Sequence, residues 1–186
     1  MRIGNDGFLH RLLADGPAAD RAGKMGLYGW LIGDWRMDCT LFLDDGATHR
    51  GTGDIHFRWA LEGRAIQDVW FLPGVFYGTT LRIYDVALDA WHIIWSDPLR
   101  PYYARQIGRA QGADIVQVGT DGDGVTTRWS FSEITPDSFR WRGERSPDGG
   151  ETFQLVADFA ACRTRPPSEA GPEHAGSVAG QAKCPG

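Results

Sequence analysis

Hydrophobic and polar residues alternate along most of this chain, from Asp34 to Cys162. The alternation comes in short runs, which Gly, Asp and Pro interrupt at intervals of about 8–15 residues. Successive side chains of a strand point to opposite faces, so each run predicts a strand with one apolar face. The runs lie at 34–43, 49–60, 64–71, 78–85, 90–96, 102–109, 114–119, 126–133, 138–144 and 152–161.

The connections between these runs are short and rich in Asp and Gly, at 44–46, 62–63, 121–124 and 148–150. Such residues adopt the positive φ angles that tight hairpins need, so consecutive strands should pair as a meander. An open meander of this length would leave two strand edges exposed, and closure into a barrel removes them. The sequence therefore predicts an all-β fold, a closed antiparallel up-and-down barrel of about ten strands.

The two ends of the chain differ from the barrel segment. Apolar residues with helical spacing over 7–15 predict one helix, which ends at Gly16-Pro17, and good helix formers from Ala18 to about Gly29 predict a second. After Arg165 the chain is rich in Pro and Gly and has no aromatic residue. Such a segment cannot repay the entropy of ordering, so it should be disordered. The predicted domains are 1–30 (an N-terminal helical cap on one end of the barrel), 31–165 (the barrel) and 166–186 (a disordered tail).

Several short motifs follow one another in order along the predicted barrel. They are LIGDW at 31–35, LEGR at 61–64, LRIYD at 81–85, Trp91 with Trp95, and WRGE at 141–144 followed by DGG at 148–150. Over about residues 27–163 this series resembles bacterial calycin-like domains of uncharacterised function. The Gly-x-Trp that enters the first strand is similar to the pattern that begins lipocalins and fatty-acid-binding proteins. The resemblance implies a calycin barrel with a hydrophobic ligand cavity, and it carries over no residue roles.

Haem is the one cofactor that the general barrel architecture suggests. Haem-binding nitrobindin-like proteins share this architecture, and they need a proximal His on a late strand. Residues 114–161 contain no His, which argues against haem, and we expect no cofactor.

Charge and apolar content narrow the range of partners. The net charge is -5, with Lys+Arg 19 against Asp+Glu 24, and the basic residues are scattered, which argues against nucleic acid. No apolar run reaches the ~20 residues that span a bilayer, and the N-terminus lacks a signal-peptide pattern. We expect no membrane partner and a cytoplasmic location. Cys39, Cys162 and Cys184 show no metal-binding or disulfide spacing, so we expect three free thiols.

The aromatic residues are the feature that most needs an explanation, since the chain has eight Trp. Alternation assigns a clear apolar inner face to 34–60 and 126–161, whereas both faces of 64–109 are partly apolar. The rings could line a ligand cavity or fill the barrel. Our candidate ligand-binding residues are Trp35, Met37, Phe57, Trp59, Gln67, Trp70, Trp95, Tyr103, Trp129, Trp141 and Phe153. Other candidates for orienting a polar ligand group are Arg82, Tyr84, Tyr102 and Gln106.

The catalytic candidates are few. No two His residues have metal-ligand spacing, no nucleophile elbow or phosphate loop is present, and we expect no metal. Asp68, Arg142 and Glu144 could act as acid and base if they faced the lumen. For Arg142 and Glu144 a solvent-exposed ladder of charges is favoured, because the opposite face of their strand is more apolar.

These observations predict a protein that binds a small apolar or aromatic metabolite in the barrel lumen. Two alternatives remain. One is a cavity enzyme of the isomerase, cyclase or hydratase type that uses a lumen carboxylate. The other is a filled barrel that forms a homodimer through its doubly apolar middle strands.

Overall fold

Ten antiparallel strands close into a barrel, as the sequence predicts. The structure is a computed structural model, and it describes residues 7–164. A short helix α1 (Gly7–Leu12), a two-residue strand β1 (Leu13–Ala14) and a helix α2 (Ala22–Gly29) precede the barrel. The barrel strands are β2 (Gly33–Phe42), β3 (Thr48–Ala60), β4 (Ala65–Leu72), β5 (Phe76–Asp85), β6 (Ala90–Asp97), β7 (Tyr102–Gln111), β8 (Asp114–Asp121), β9 (Thr126–Ser132), β10 (Ser138–Ser146) and β11 (Gln154–Arg163).

Each barrel strand pairs with the next one in the chain, and β11 pairs with β2 to close the ring. The strand β1, which the sequence did not predict, adds two residues to the end of β3 through Leu13 and Ala14. It occupies part of the segment predicted as the first helix, which therefore ends at Leu12. The predicted tail, 166–186, lies outside the described residues.

The middle strands, whose faces were ambiguous from sequence, have a definite orientation. On β4, Ile66, Asp68 and Trp70 are buried inside the barrel, whereas Val69 on the opposite face is exposed. The polar Asp68 therefore shares the inner face with two large apolar side chains. Alternation alone could not select this face, because neither set of residues is uniformly apolar.

A β-bulge in the last strand reverses the expected face at its beginning. Gly143 of β10 pairs with Ala157, but the next residue, Glu144, pairs with Leu155, so Val156 is an extra residue. The bulge turns Leu155 outward, where it is 39% exposed, although strict alternation placed it in the lumen. A single inserted residue reverses the face of the sheet to which each preceding side chain of the strand points.

The helix α2 closes one end of the barrel. Its Met25 and Tyr28, and Leu31 just after it, are fully buried in the core. The indole N–H of Trp35 donates to the Leu31 carbonyl at 2.7 Å, and Lys24 forms an ion pair with Asp89 in the β5–β6 turn at 2.7 Å. We call this element, residues 22–31, the plug.

A glycine of β7 makes room for the plug. A Cβ atom on Gly108 would lie 2.2 Å from the hydroxyl oxygen of Tyr28, which is closer than any carbon–oxygen contact allows. Tyr28 also packs edge-on against Trp91, with ring centroids 5.0 Å apart. Burial raises the pKa of this hydroxyl well above its ordinary value, so the group stays protonated in the core.

The cysteines differ in state. Cys39 is a free thiol on the inner face of β2, and burial raises its pKa to about 12. Cys162 is disulfide-bonded, so the expectation of free thiols is wrong for this residue. Cys184 lies outside the described residues. Between residues 7 and 164, no helix is long and apolar enough to cross a membrane.

Candidate ligand-binding cavity

A cavity of about 480 Å³ occupies the half of the barrel that the plug does not fill. Its outermost residues lie in or beside the turns β4–β5, β6–β7 and β8–β9, namely Val75, Arg100 and Asp123. The plug contacts the β5–β6 turn, at the opposite end of the up-and-down barrel. The cavity therefore has its mouth at one end and the plug beyond its floor.

Three stacked indoles form one wall. The ring centroids of Trp129 and Trp141 are 4.1 Å apart, and those of Trp70 and Trp141 are 4.3 Å apart. Gly143 allows this arrangement, because a Cβ atom there would lie 2.2 Å from the Trp129 ring. The result is a rigid aromatic wall of the kind against which aromatic ligands pack.

The aromatic lining continues across β5 and β11. The ring of Phe76 packs edge-on against Trp95 at 6.2 Å and parallel to Phe159, also at 6.2 Å. Ala104 lies beside Trp95 in the pairing of β6 with β7, and its small side chain leaves space in the lumen.

A buried ion pair forms part of the cavity floor. Arg82 lines the cavity and donates from Nη1 to Oδ2 of Asp68, which lies behind it. The other carboxylate oxygen of Asp68 accepts the backbone N–H of Thr80 at 2.7 Å. The Arg82 guanidinium also lies 5.4 Å from the ring centroids of Tyr28 and Phe57. Charge pairing and aromatic packing together fix its position.

Two glutamines complete the polar part of the cavity. Gln106 donates from Nε2 to the Thr127 hydroxyl oxygen at 2.9 Å. Gln117 is 1% exposed, and its Nε2 has no hydrogen-bond partner in the protein.

The mouth carries both signs of charge. Asp121 accepts the backbone N–H groups of Asp123 and Val125, which holds the β8–β9 turn, and it forms an ion pair with Arg145 at 3.2 Å. Burial, with the nearby Asp121 carboxylate, raises the pKa of Tyr102 to about 12. Tyr102 therefore presents a neutral hydroxyl group at neutral pH.

Of the candidate residues from the sequence, the structure brings four together on the cavity wall: Trp70, Trp95, Trp129 and Trp141. A second group lies deeper in the barrel, in the hydrophobic core next to the plug, and does not line the cavity: Trp35, Met37, Phe57 and Trp59. Of the polar candidates, Arg82, Tyr102 and Gln106 line the cavity, whereas Tyr84 packs against Trp91 and donates to Asp89.

Three candidates lie outside the lumen. Gln67 donates to Thr79 on the outer face, and Tyr103 is 56% exposed. Both belong to middle strands, where the apolar pattern gave no clear inner face. Phe153 lies before the bulge and packs under Arg128, 3.8 Å from its guanidinium carbon. The bulge accounts for this position, as it does for Leu155.

The acid–base candidates are also separated. Asp68 is inside the barrel, but both of its oxygens accept hydrogen bonds from Thr80 and Arg82. Arg142 lies near Asp158 on the outer face, with Nε 3.6 Å from Oδ1. Glu144 accepts two hydrogen bonds from Arg128 at 2.6 and 2.9 Å, also on the outer face. These three residues form no common site.

Replacing Glu144 by Gln should have a small effect. The Arg128–Glu144 pair is partly exposed, and such pairs contribute about 0.2–1 kcal/mol to stability. We expect the free energy of unfolding, measured by urea denaturation, to fall by less than about 1 kcal/mol. A loss several times larger would show that this pair is essential to the barrel.

Sequence reasoning missed several cavity residues, among them Thr80, Asp97, Gln117 and Asp121. All four are polar and lie on inner faces, where an apolar criterion excludes them. Gln117 alternates with Val116 and Val118 on β8, so an apolar criterion assigns the two valines, and not Gln117, to the lumen. Within residues 7–164, no group of three His, Cys, Asp or Glu side chains could hold a metal ion.

Comparison with known proteins supports the architecture. No family model and no curated protein matches this chain. Its fold is similar to that of Rv2717c from M. tuberculosis, with a TM-score of 0.58 and 13% identity over 82% of this chain and 99% of that one. A redesigned beta barrel matches with a TM-score of 0.38 and 14% identity, over 73% of this chain and 93% of its own. EF1p2_mFAP2b bound to DFHBI matches with a TM-score of 0.35 and 14% identity, over 79% and 100%. At 13% identity the likeness to Rv2717c concerns the fold alone.

Proposed function

We propose that this protein binds a small, flat, mainly apolar aromatic molecule inside the barrel. The observation that carries the proposal is the cavity of about 480 Å³ with its wall of stacked indoles. Small-molecule sites commonly measure about 300–1,000 Å³ and combine an apolar lining with a few placed polar groups. Here the polar groups include those of Arg82, Gln106 and Gln117.

The two alternatives have less support. A filled barrel would need its aromatic rings to occupy the lumen, but the plug fills one half and a cavity remains in the other. For a cavity enzyme, Asp68 and Asp121 already accept two or more hydrogen bonds each. Asp97, which also lines the cavity, accepts the backbone N–H of Leu99 at 2.9 Å. Exposed apolar residues remain on the outer face of the middle strands, such as Val69 and Ile94, and a homodimer through this face stays a prediction.

Filling the cavity should abolish binding. The Ala104→Trp variant places an indole in the space beside Trp95 and competes directly with a ligand. Equilibrium dialysis against 2-isopropylnaphthalene and 2-acetylnaphthalene should give dissociation constants of micromolar order for the native protein. We expect the variant to raise them by at least about tenfold, which corresponds to 1.4 kcal/mol.

A matched control separates this effect from a general effect of an added indole. Ala110 is an exposed residue near the end of the same strand, so Ala110→Trp should fold and leave both dissociation constants unchanged. Near-UV circular dichroism checks that both variants keep native packing. The proposal is wrong if the native protein binds neither probe, or if Ala104→Trp folds and binds as well as the native protein.

A further inference from the structure

Some buried N–H groups of the cavity lining lack a hydrogen-bond partner. Four buried N–H groups of cavity-lining residues have no acceptor in the protein: Trp70 Nε1, Arg82 Nε, Gln117 Nε2 and Trp141 Nε1. Within residues 7–164, every buried unpaired side-chain polar atom of a cavity-lining residue is a nitrogen donor. An unpaired buried donor has lost its hydration without gaining a hydrogen bond in exchange. This cavity therefore favours a ligand that supplies acceptors.

The two donors nearest the cavity floor belong to Arg82 and Gln117, side chains with little freedom to reorient. Arg82 is 1% exposed and is held by Asp68 and by the rings of Tyr28 and Phe57. Gln117 is equally buried, and its strand register places it between Gly108 and Trp129. A ligand that pairs with these donors meets groups already fixed in place, so little ordering entropy is lost on binding.

The charges of the cavity do not favour an anion. Its lining contains three arginines and three aspartates, and the Arg82 charge is further compensated by Asp68 behind it. Without excess positive charge, a buried carboxylate would lose its hydration and gain no ion pair. A neutral acceptor, such as a carbonyl oxygen, loses much less hydration free energy when it enters.

We propose that the ligand is an uncharged aromatic carbonyl compound. Its carbonyl oxygen accepts hydrogen bonds from the floor donors of Gln117 and Arg82, and its ring system packs against the wall of Trp70, Trp129 and Trp141. This inference rests on the proposed function and specifies the ligand class of that same cavity.

The test compares three naphthalenes with one shape and different acceptors: 2-acetylnaphthalene, 2-isopropylnaphthalene and 2-naphthoate. Dissociation constants are measured at pH 7 by equilibrium dialysis for the native protein, for Gln117→Leu and for Gln111→Leu. Gln117→Leu keeps the approximate side-chain volume and removes the donor. Gln111 is exposed at the end of β7 and serves as the matched control.

We expect Gln117→Leu to raise the dissociation constant of the ketone about tenfold, which corresponds to 1.4 kcal/mol and is the size of effect expected for one buried hydrogen bond. The dissociation constant of the hydrocarbon should not rise. The control should change neither constant, and naphthoate should bind the native protein more weakly than the ketone. Equal effects of Gln117→Leu on ketone and hydrocarbon would overturn the carbonyl inference and leave the proposed function intact. Tighter binding of 2-naphthoate than of the ketone would also overturn the carbonyl inference, and would indicate that the cavity is an anion site. Failure of all three probes to bind would instead overturn the proposed function.

Discussion

Replacing Asp68 by Asn should destabilise the barrel by about 3–5 kcal/mol, the cost of breaking a buried ion pair from one side. The Asp68 and Arg82 side chains are essentially inaccessible to solvent, so the substitution leaves a guanidinium charge in the core with no counter-charge. Its aromatic neighbours and the carbonyl oxygen of Asn compensate only a part of this charge. Urea denaturation followed by tryptophan fluorescence measures the loss.

Two comparisons make this result specific. Glu144→Gln removes the same charge from a partly exposed pair and should cost less than about 1 kcal/mol. In the double variant Asp68→Asn with Arg82→Met, no buried charge remains, so most of the lost stability should return. A double variant no more stable than Asp68→Asn would show that the charge balance is not the cause. The double variant also keeps the test informative if the single variant fails to fold.

Replacing Trp35 by Ala should cost about 3–5 kcal/mol, as expected for removal of a fully buried aromatic ring. The Trp35 ring packs edge-on against Trp30 at 6.1 Å and Phe139 at 4.9 Å, and its N–H donates to the Leu31 carbonyl. The guanidinium carbon of Arg163 also lies 4.1 Å from its centroid. Trp35 therefore joins the plug to the first and last strands of the barrel.

The matched substitution is Trp95→Ala, on the cavity wall. Trp95 is only partly buried and already borders open space, so its loss should cost clearly less stability than that of Trp35. Trp35→Phe keeps most of the ring and should cost about 1–3 kcal/mol, because the Leu31 carbonyl loses its donor. Similar losses for Trp35→Ala and Trp95→Ala would mean that the plug contributes little to stability.

The sequence predicts the fold well because local signals agree with each other. Ten alternating runs and Gly-containing turns specify ten hairpin-connected strands, and few other topologies close such a set without free edges. The cavity is predicted less well. Its four tryptophans were named as candidates. Trp129 and Trp141 lie on a face that large apolar residues mark, whereas Trp70 and Trp95 lie on strands with two partly apolar faces.

The inward or outward positions of the remaining site residues are set by the three-dimensional structure and could not be predicted from the sequence. Gln117 and Thr80 are polar, and only the ring of strands around them makes their positions internal. Gln67 and Tyr103 were placed inside because their strands have apolar residues on both faces. Phe153 was misplaced by the extra residue Val156, which no composition or spacing rule distinguishes from a regular strand residue. The division between plug and cavity also depends on how deeply α2 enters, which is a property of the packed core.

The stacked indoles of the cavity wall have an optical consequence. Ring centroids of 4.1 and 4.3 Å, with interplanar angles of 23° and 35°, hold the strong ultraviolet transitions of Trp70, Trp129 and Trp141 at fixed mutual orientations. Chromophores this close and mutually tilted couple as excitons and give a circular dichroism couplet. The protein therefore carries a spectroscopic reporter of barrel closure near the site of binding, and an aromatic guest should perturb it without any added label.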